Sequence, residues 1–236
     1  MAQKRAAGKP EERRREAAAS RRTKPVKPAD FKKGETSAKR MNQENVADRA
    51  SRLQTRITPG PRAQWKPGNM IYPVPAVLVT VADCEGNSNI ITIAWTGTIC
   101  TNPPMAYISV RPERYSYHML RESGEFVINL ATESMAYATD YCGVRSGKDV
   151  DKFKEMKLTC VEASQVNCGM IGESPVNIEC KVVKTEKLGS HHMFLAQVVA
   201  VHADEDYMDE NGRFDLNSAH PMVYSHGTYY GVGKQL

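Results

Sequence analysis

The feature that most constrains this chain is the shortness of the links between its β-rich runs. "PAVLVTVA" (residues 75–82) and "NIITIAWTG" (89–97) are separated only by "DCEGNS", where Gly86 and Asn87 tolerate positive φ. "MAYISV" (105–110) follows Asn102-Pro103-Pro104, and "EFVINL" (125–130) follows Gly124. Parallel neighbours need crossovers of about a dozen residues or more, so links this short predict antiparallel pairing. Two longer runs, "VNIECKVVKTEKL" (176–188) and "HHMFLAQVVAVHADE" (191–205), bring the strands to six. Two helices are expected. One spans "YSYHMLRESG", with Tyr115, Met119 and Leu120 at helical spacing and Gly124 as its stop; the other runs from a Thr132 cap to Tyr141. The balance predicts a mainly β chain, an antiparallel sheet or barrel with a few helices, and not a doubly wound parallel fold.

Charge divides the 236 residues at about position 66. Residues 1–66 hold 19 Lys+Arg and 7 Asp+Glu, whereas residues 67–236 hold 13 and 20. The front segment is poor in aromatic and branched aliphatic residues, so burial cannot offset its ordering entropy, and it reads as a disordered basic extension. Its lysines and arginines suit nucleic acid or an acidic partner, but no aromatics interleave to stack on bases, which favours a solvated tail. The Arg- and Ala-rich start resembles an import signal in composition. Glu11, Glu12 and Glu16 run against that reading, so the expectation is a cytoplasmic protein with organelle import as the alternative. No run is long and apolar enough to span a membrane. The six cysteines lie in the body without a C-x-x-C pair, and His191 and His192, adjacent in a strand, should face opposite ways; no metal site is expected.

Three stretches hold candidate chemistry. In "SVRPERYSYHML" a strand ends at Val110 and a helix starts near Ser116, where free N–H groups join Arg111 and Arg114. That order suits a phosphate, with Ser116 at the capping position; an ordinary cap with two surface arginines is the alternative. In "NIITIAWTGTIC", Thr92, Thr96 and Thr98 form a row on one strand face, and Gly97 lets a flat molecule approach the backbone. A half-exposed strand with threonines facing water fits the same spacing. In "YCGVRSGKDVDKF", Gly143, Ser146 and Gly147 break a helix and Lys148 and Lys152 add charge, which reads as a surface loop.

Taken in order, "NIITIAWTGT … NPP … YISVRPERYS", "GEFVINL", "DYCGVRSGKDVDKF", "SPVNIEC", "LGSHHMFLAQVVAV" and "YSHGTYYGVGK" resemble the flavin reductase-like family of FMN-binding split barrels, most closely its flavoredoxin branch. The resemblance runs from about Asn69 to Lys234 and implies a six-stranded antiparallel barrel over residues 67–236, usually a homodimer with FMN near the subunit contact. By position it implies that Thr92, Trp95, Thr96, Gly97 and Thr98 border the isoalloxazine and ribityl chain. It likewise implies that Arg111, Arg114, Tyr115 and Ser116 grip the phosphate, with Cys142, Gly143 and Ser146 close by. His191 matches a histidine placed near the nicotinamide or flavin, and is the catalytic candidate. Tyr224 and Tyr229 belong to the closing segment.

The expected function is hydride and electron transfer from NADH or NADPH to FMN and on to an acceptor. No G-x-G-x-x-G follows a strand, so a pyridine nucleotide would dock transiently on the flavin face. A non-catalytic FMN carrier between redox protein partners is the alternative.

Overall fold

The computed structural model describes residues 60–234. Residues 1–59, which hold most of the expected basic extension and its solvated-tail and import readings, lie outside the described residues. Ten of the strands run in chain order as β1 (Val74–Pro75), β2 (Val77–Ala82), β3 (Ser88–Ile93), β4 (Thr96–Cys100), β5 (Met105–Val110), β6 (Glu125–Leu130), β7 (Cys160–Val161), β8 (Met170–Ile171), β9 (Val176–Lys187) and β10 (His192–Ala203). Two more, β11 (Met222–Ser225) and β12 (Thr228–Gly231), follow near the end of the described chain. The α-helices among the described residues are α1 (Ser116–Ser123), α2 (Ala136–Val144) and α3 (Lys152–Met156). No helix among the described residues is long and apolar enough to cross a membrane.

The principal sheet has seven strands in the order β3-β2-β6-β9-β10-β5-β4, each pair antiparallel. Six antiparallel steps leave the two edge strands, β3 and β4, running in the same direction. Only Ala94 and Trp95 separate them in sequence. The sheet therefore curls without closing, and one bent strand leaves one edge and joins the other. This is a split barrel: among the described residues no backbone ladder joins β3 to β4. The single run expected over residues 89–97 is thus two strands, which is why pairing yields seven where six were expected. Irregular register between β9 and β10, at Leu195/Ala196 and Val198/Ala200, adds to that curl.

Burial follows from the curl. Val77, Val79 and Val81 of β2 point inward with Ile91, Ile108, Phe126, Ile128 and Phe194, and Tyr117, Met119 and Leu120 of α1 pack on the same cluster. Leu78 faces the opposite way, against Ile90, Met135, Cys142 and Ile171 under α2. Both faces of β2 are covered, so it reads as a continuous apolar run rather than an alternating one. Each fully buried Val, Leu, Ile or Phe stabilises the barrel by about 1.5–3 kcal/mol relative to exposure.

A buried carboxylate anchors the far side. Glu179 of β9, with no exposed surface, accepts from Ser164 N and Oγ, Gln165 N and Val166 N, and pairs with His202 of β10. Burial pulls this carboxyl upward, but those donors outweigh it and hold it at about 2.

The helix after Thr132 begins as a 3-10 turn, Glu133–Met135, and continues as α2 to Val144, three residues past the expected end. Thr132 precedes it without a side-chain cap, since its Oγ1 meets Ser134 Oγ at 2.8 Å instead. Gly124 closes α1 with φ 65°, as its stop position predicts.

Candidate functional site

The turn between β5 and α1 is closed by Arg114 N donating to Arg111 O (3.0 Å) and Tyr117 N donating to Arg114 O (2.9 Å). Ser116 is the first helical residue, not the cap; Tyr115 precedes it and no side chain caps the helix. The Ser116 hydroxyl is instead engaged by Asn89 of β3, whose Nδ2 donates to Ser116 Oγ at 2.7 Å. Ser116 still has its own proton to give.

A small pocket of about 130 Å³ opens here, lined by Asn89, Glu113, Arg114, Tyr115, Ser116, Cys142, Arg145, Ser146, Gly147 and Lys152, among others. Lys152 is only 5% exposed. Its Nζ donates to Ile90 O (2.6 Å) and Cys142 O (2.9 Å), which leaves a third N–H. Burial pushes this ammonium down to about 8, with Cys142 opposing and Arg114 adding to the shift. The surface-loop reading fails at this residue: Asp151, accepting from Lys154 N, starts α3 here, and Phe153 and Met156 pull it onto the Leu78 cluster. Glu113 is the one carboxylate on the pocket wall, against three cations, and no ion pair among the described residues neutralises them.

Two glycines permit this packing. A Cβ on Gly147 would stand 2.2 Å from Asn89 Oδ1, and one on Gly143 would stand 3.3 Å from Thr92 Cβ. Cys142 contributes its carbonyl rather than its thiol. The side chain is buried and pushed up to about 11 by burial, so no reactive thiolate forms.

A larger groove of about 820 Å³ lies alongside, bordered by Met70, Ile71, Trp95, Thr96, Tyr107, Ser109, Arg111, Arg114, Leu188, Ser190 and His191. Arg114 lines both spaces and donates from Nη1 to Gly143 O at 3.0 Å, tying the start of α1 to the end of α2. Arg111 lines the groove alone.

The row of three threonines does not form, because the chain bends at Ala94–Trp95 and changes partner. Thr92 Oγ1 donates to Thr139 O on α2, Thr96 Oγ1 donates to Tyr107 O at 2.7 Å, and Thr98 is exposed. Gly97 accommodates the Tyr107 ring, whose Cε1 would lie 3.2 Å from an added Cβ. Trp95 packs near Tyr72, with ring centroids 6.3 Å apart.

His191 and His192 do face opposite ways. His191 stands on the groove with Ser190 Oγ at 3.0 Å from Nδ1, and is pushed down by burial and by the Arg111 and Arg114 charges, with Glu113 opposing. His192 Nδ1 lies 2.6 Å from Tyr117 Oη inside. Tyr224 and Tyr229 sit on β11 and β12 of a three-stranded sheet with β1. Tyr229 is pushed up to about 12 by burial and by Asp140.

The fold is a mainly β split barrel with a cationic pocket and an adjoining groove. Residues 69–233 match the flavin reductase-like domain, and the chain belongs to that family. Flavoredoxin of Desulfovibrio vulgaris (Miyazaki F) superimposes with a TM-score of 0.70 at 30% identity, covering 74% of this chain and 95% of that one. Flavoredoxin from Methanosarcina acetivorans gives 0.68 at 27% identity, over 75% and 94%. An uncharacterized protein of Archaeoglobus fulgidus is 29% identical over 157 residues, 66% of this chain and 86% of that relative.

Proposed function

We propose that the protein binds FMN across the Arg114 ridge and acts as an oxidoreductase, taking hydride from NADH or NADPH and passing electrons to an acceptor. The carrying observation is the set of uncompensated cations at the small pocket, Arg114, Arg145 and Lys152, beside the Ser116 hydroxyl. A phosphate accepts every hydrogen bond and offers none, so it matches this donor set. Arg114, Ser116 and Lys152 hold the phosphate in this reading, with Tyr115 and Ser146 at the rim. Trp95, Thr96 and Gly97 border the flat end; Thr92 and Gly143 act from behind by fixing α2 against β3.

The bound flavin supplies the hydride and electron chemistry. The chain's part is to orient it, to exclude water with Trp95 and Tyr107, and to present His191 beside the incoming donor. A homodimer is part of the proposal: α2 leaves Tyr137 and Val144 75% and 70% exposed, with Val144 on the pocket wall.

The visible spectrum of the purified full chain tests the ligand. Oxidised-flavin bands and the released mass of FMN are expected; a folded, colourless protein that takes up no FMN contradicts the reading. A second reading, an FMN carrier between protein partners, draws on the two flavoredoxin likenesses. Rapid mixing with NADH or NADPH separates them, since an enzyme bleaches its flavin within seconds and a carrier does not.

A further inference from the structure

We propose that Arg111, with Ser190 and His191, forms a separate anion-reading site in the groove that selects an electron partner made of a flat ring bearing a phosphate or carboxylate. The inference rests on the flavin reading above. It divides two arginines that the sequence places three residues apart and that the family resemblance assigns to one phosphate.

The division is geometric. Arg114 reaches the small pocket and is tied to Gly143 O. Arg111 borders the groove and not the small pocket, and its guanidinium has no hydrogen-bond or ion-pair partner among the described residues. A guanidinium left with all its donors unengaged at a concave wall is suited to a planar anion, which it can grip through two parallel bonds.

The groove is also electrically unlike the molecule around it. Its wall contains the charged Arg111 and Arg114 and no Asp or Glu. Residues 67–236 meanwhile carry 13 Lys+Arg against 20 Asp+Glu. A positive recess on an acidic body concentrates small anions at its mouth and repels the rest of the surface from them, an effect that salt weakens.

The groove also has apolar lining. Met70, Ile71 and Leu188 line it at 56%, 87% and 62% exposure. His191 lines the same groove, with Ser190 Oγ at Nδ1 and Nε2 unengaged among the described residues. Its lowered affinity for protons keeps the ring neutral near pH 7, so it adds a hydrogen-bonding edge without a competing charge. An apolar shelf, a neutral imidazole and a free guanidinium in one recess describe an amphipathic ligand, ring inward and anion toward Arg111.

The test uses the full chain loaded with FMN, the loading being measured first through quenching of flavin fluorescence. NADP+, NAD+ and benzoate are then titrated separately into the loaded protein, read by calorimetry and by perturbation of the visible flavin band. Arg111→Gln is expected to hold FMN within about threefold of the unmodified chain and to weaken the anionic probe that binds by about tenfold or more, the loss of one charge-assisted bond. Arg111→Lys should recover part of the loss, and raising the salt should weaken the unmodified chain more than the Gln variant. Tight NADP+ with weak benzoate assigns the phosphate source, and the reverse assigns the carboxylate. If Arg111→Gln loses FMN as severely as Arg114→Ala, Arg111 belongs to the flavin anchor and the proposal is overturned. It is equally overturned if the loaded chain binds none of the three probes, or binds them unchanged in the Gln variant. Failure of the unmodified chain to load FMN is a different result, which removes the flavin reading itself and this proposal with it.

Discussion

Glu179 and Lys152 are both buried charges, and the molecule treats them in opposite ways. Around Glu179, three backbone N–H groups, the Ser164 hydroxyl and His202 converge on one carboxylate, so its charge is answered within the fold. Around Lys152 there are only the carbonyls of Ile90 and Cys142, with Arg114 and Arg145 nearby and Glu113 as the sole carboxylate on the pocket wall. The first centre is closed and holds the 164–166 loop to the barrel. The second carries net positive charge and an open space. A fold that compensates one buried charge so fully and leaves another uncompensated marks the second as a place for an outside anion.

The largest effect expected on this contrast is at the closed centre. Glu179→Gln should cost about 3 kcal/mol of stability, because donors gathered for a carboxylate lose their charge partner, while FMN affinity stays as it was. Urea melts and flavin titrations of one preparation read both quantities. The carboxyl sits below its unfolded value, so its contribution is present above about pH 4.5 and is lost as pH falls toward 2. The variant should lack that acid-dependent loss.

At the open centre the signs reverse. Arg114→Ala and Ser116→Ala should each weaken FMN by about 1.5–3 kcal/mol and riboflavin much less, with melting little changed. Equal weakening of both ligands would reassign the pocket to the ring edge that the two share. Protonation offers a finer probe. An anion binds best beside a charged Lys152, so FMN affinity should fall as pH rises through about 8, with a separate fall below about pH 6 as the phosphate itself takes up a proton. Lys152→Met should bind more weakly throughout and lack the fall at about pH 8. The smallest effect belongs to Thr98→Ala, whose exposed hydroxyl touches neither space; less than about 0.5 kcal/mol is expected on either ligand.

Most strands were legible in the sequence because their signals are local. β5 and β6 occupy the expected residues, and Gly124 ends α1 where a stop was expected. Sequence reasoning failed where distant parts of the chain decide. The alternation of "NIITIAWTG" runs unbroken through Ala94–Trp95, and only the curl of the sheet bends it. Lys152 is 62 residues from the carbonyl of Ile90 that it meets, and Asn89 is 27 from Ser116. A local signal did exist for Lys152: Asp151 as a cap, with Phe153 and Met156 at helical spacing, makes a short helix whose start must tuck inward. The β1-β11-β12 sheet joins residues about 150 apart, beyond the reach of any pattern.

The most direct measurement is equilibrium binding of FMN and riboflavin to the full chain at low ionic strength. FMN tighter by at least about tenfold, with the difference abolished in Arg114→Ala, is the predicted result. Equal affinity for the two, or none for either, would contradict an anion held by the open cationic centre.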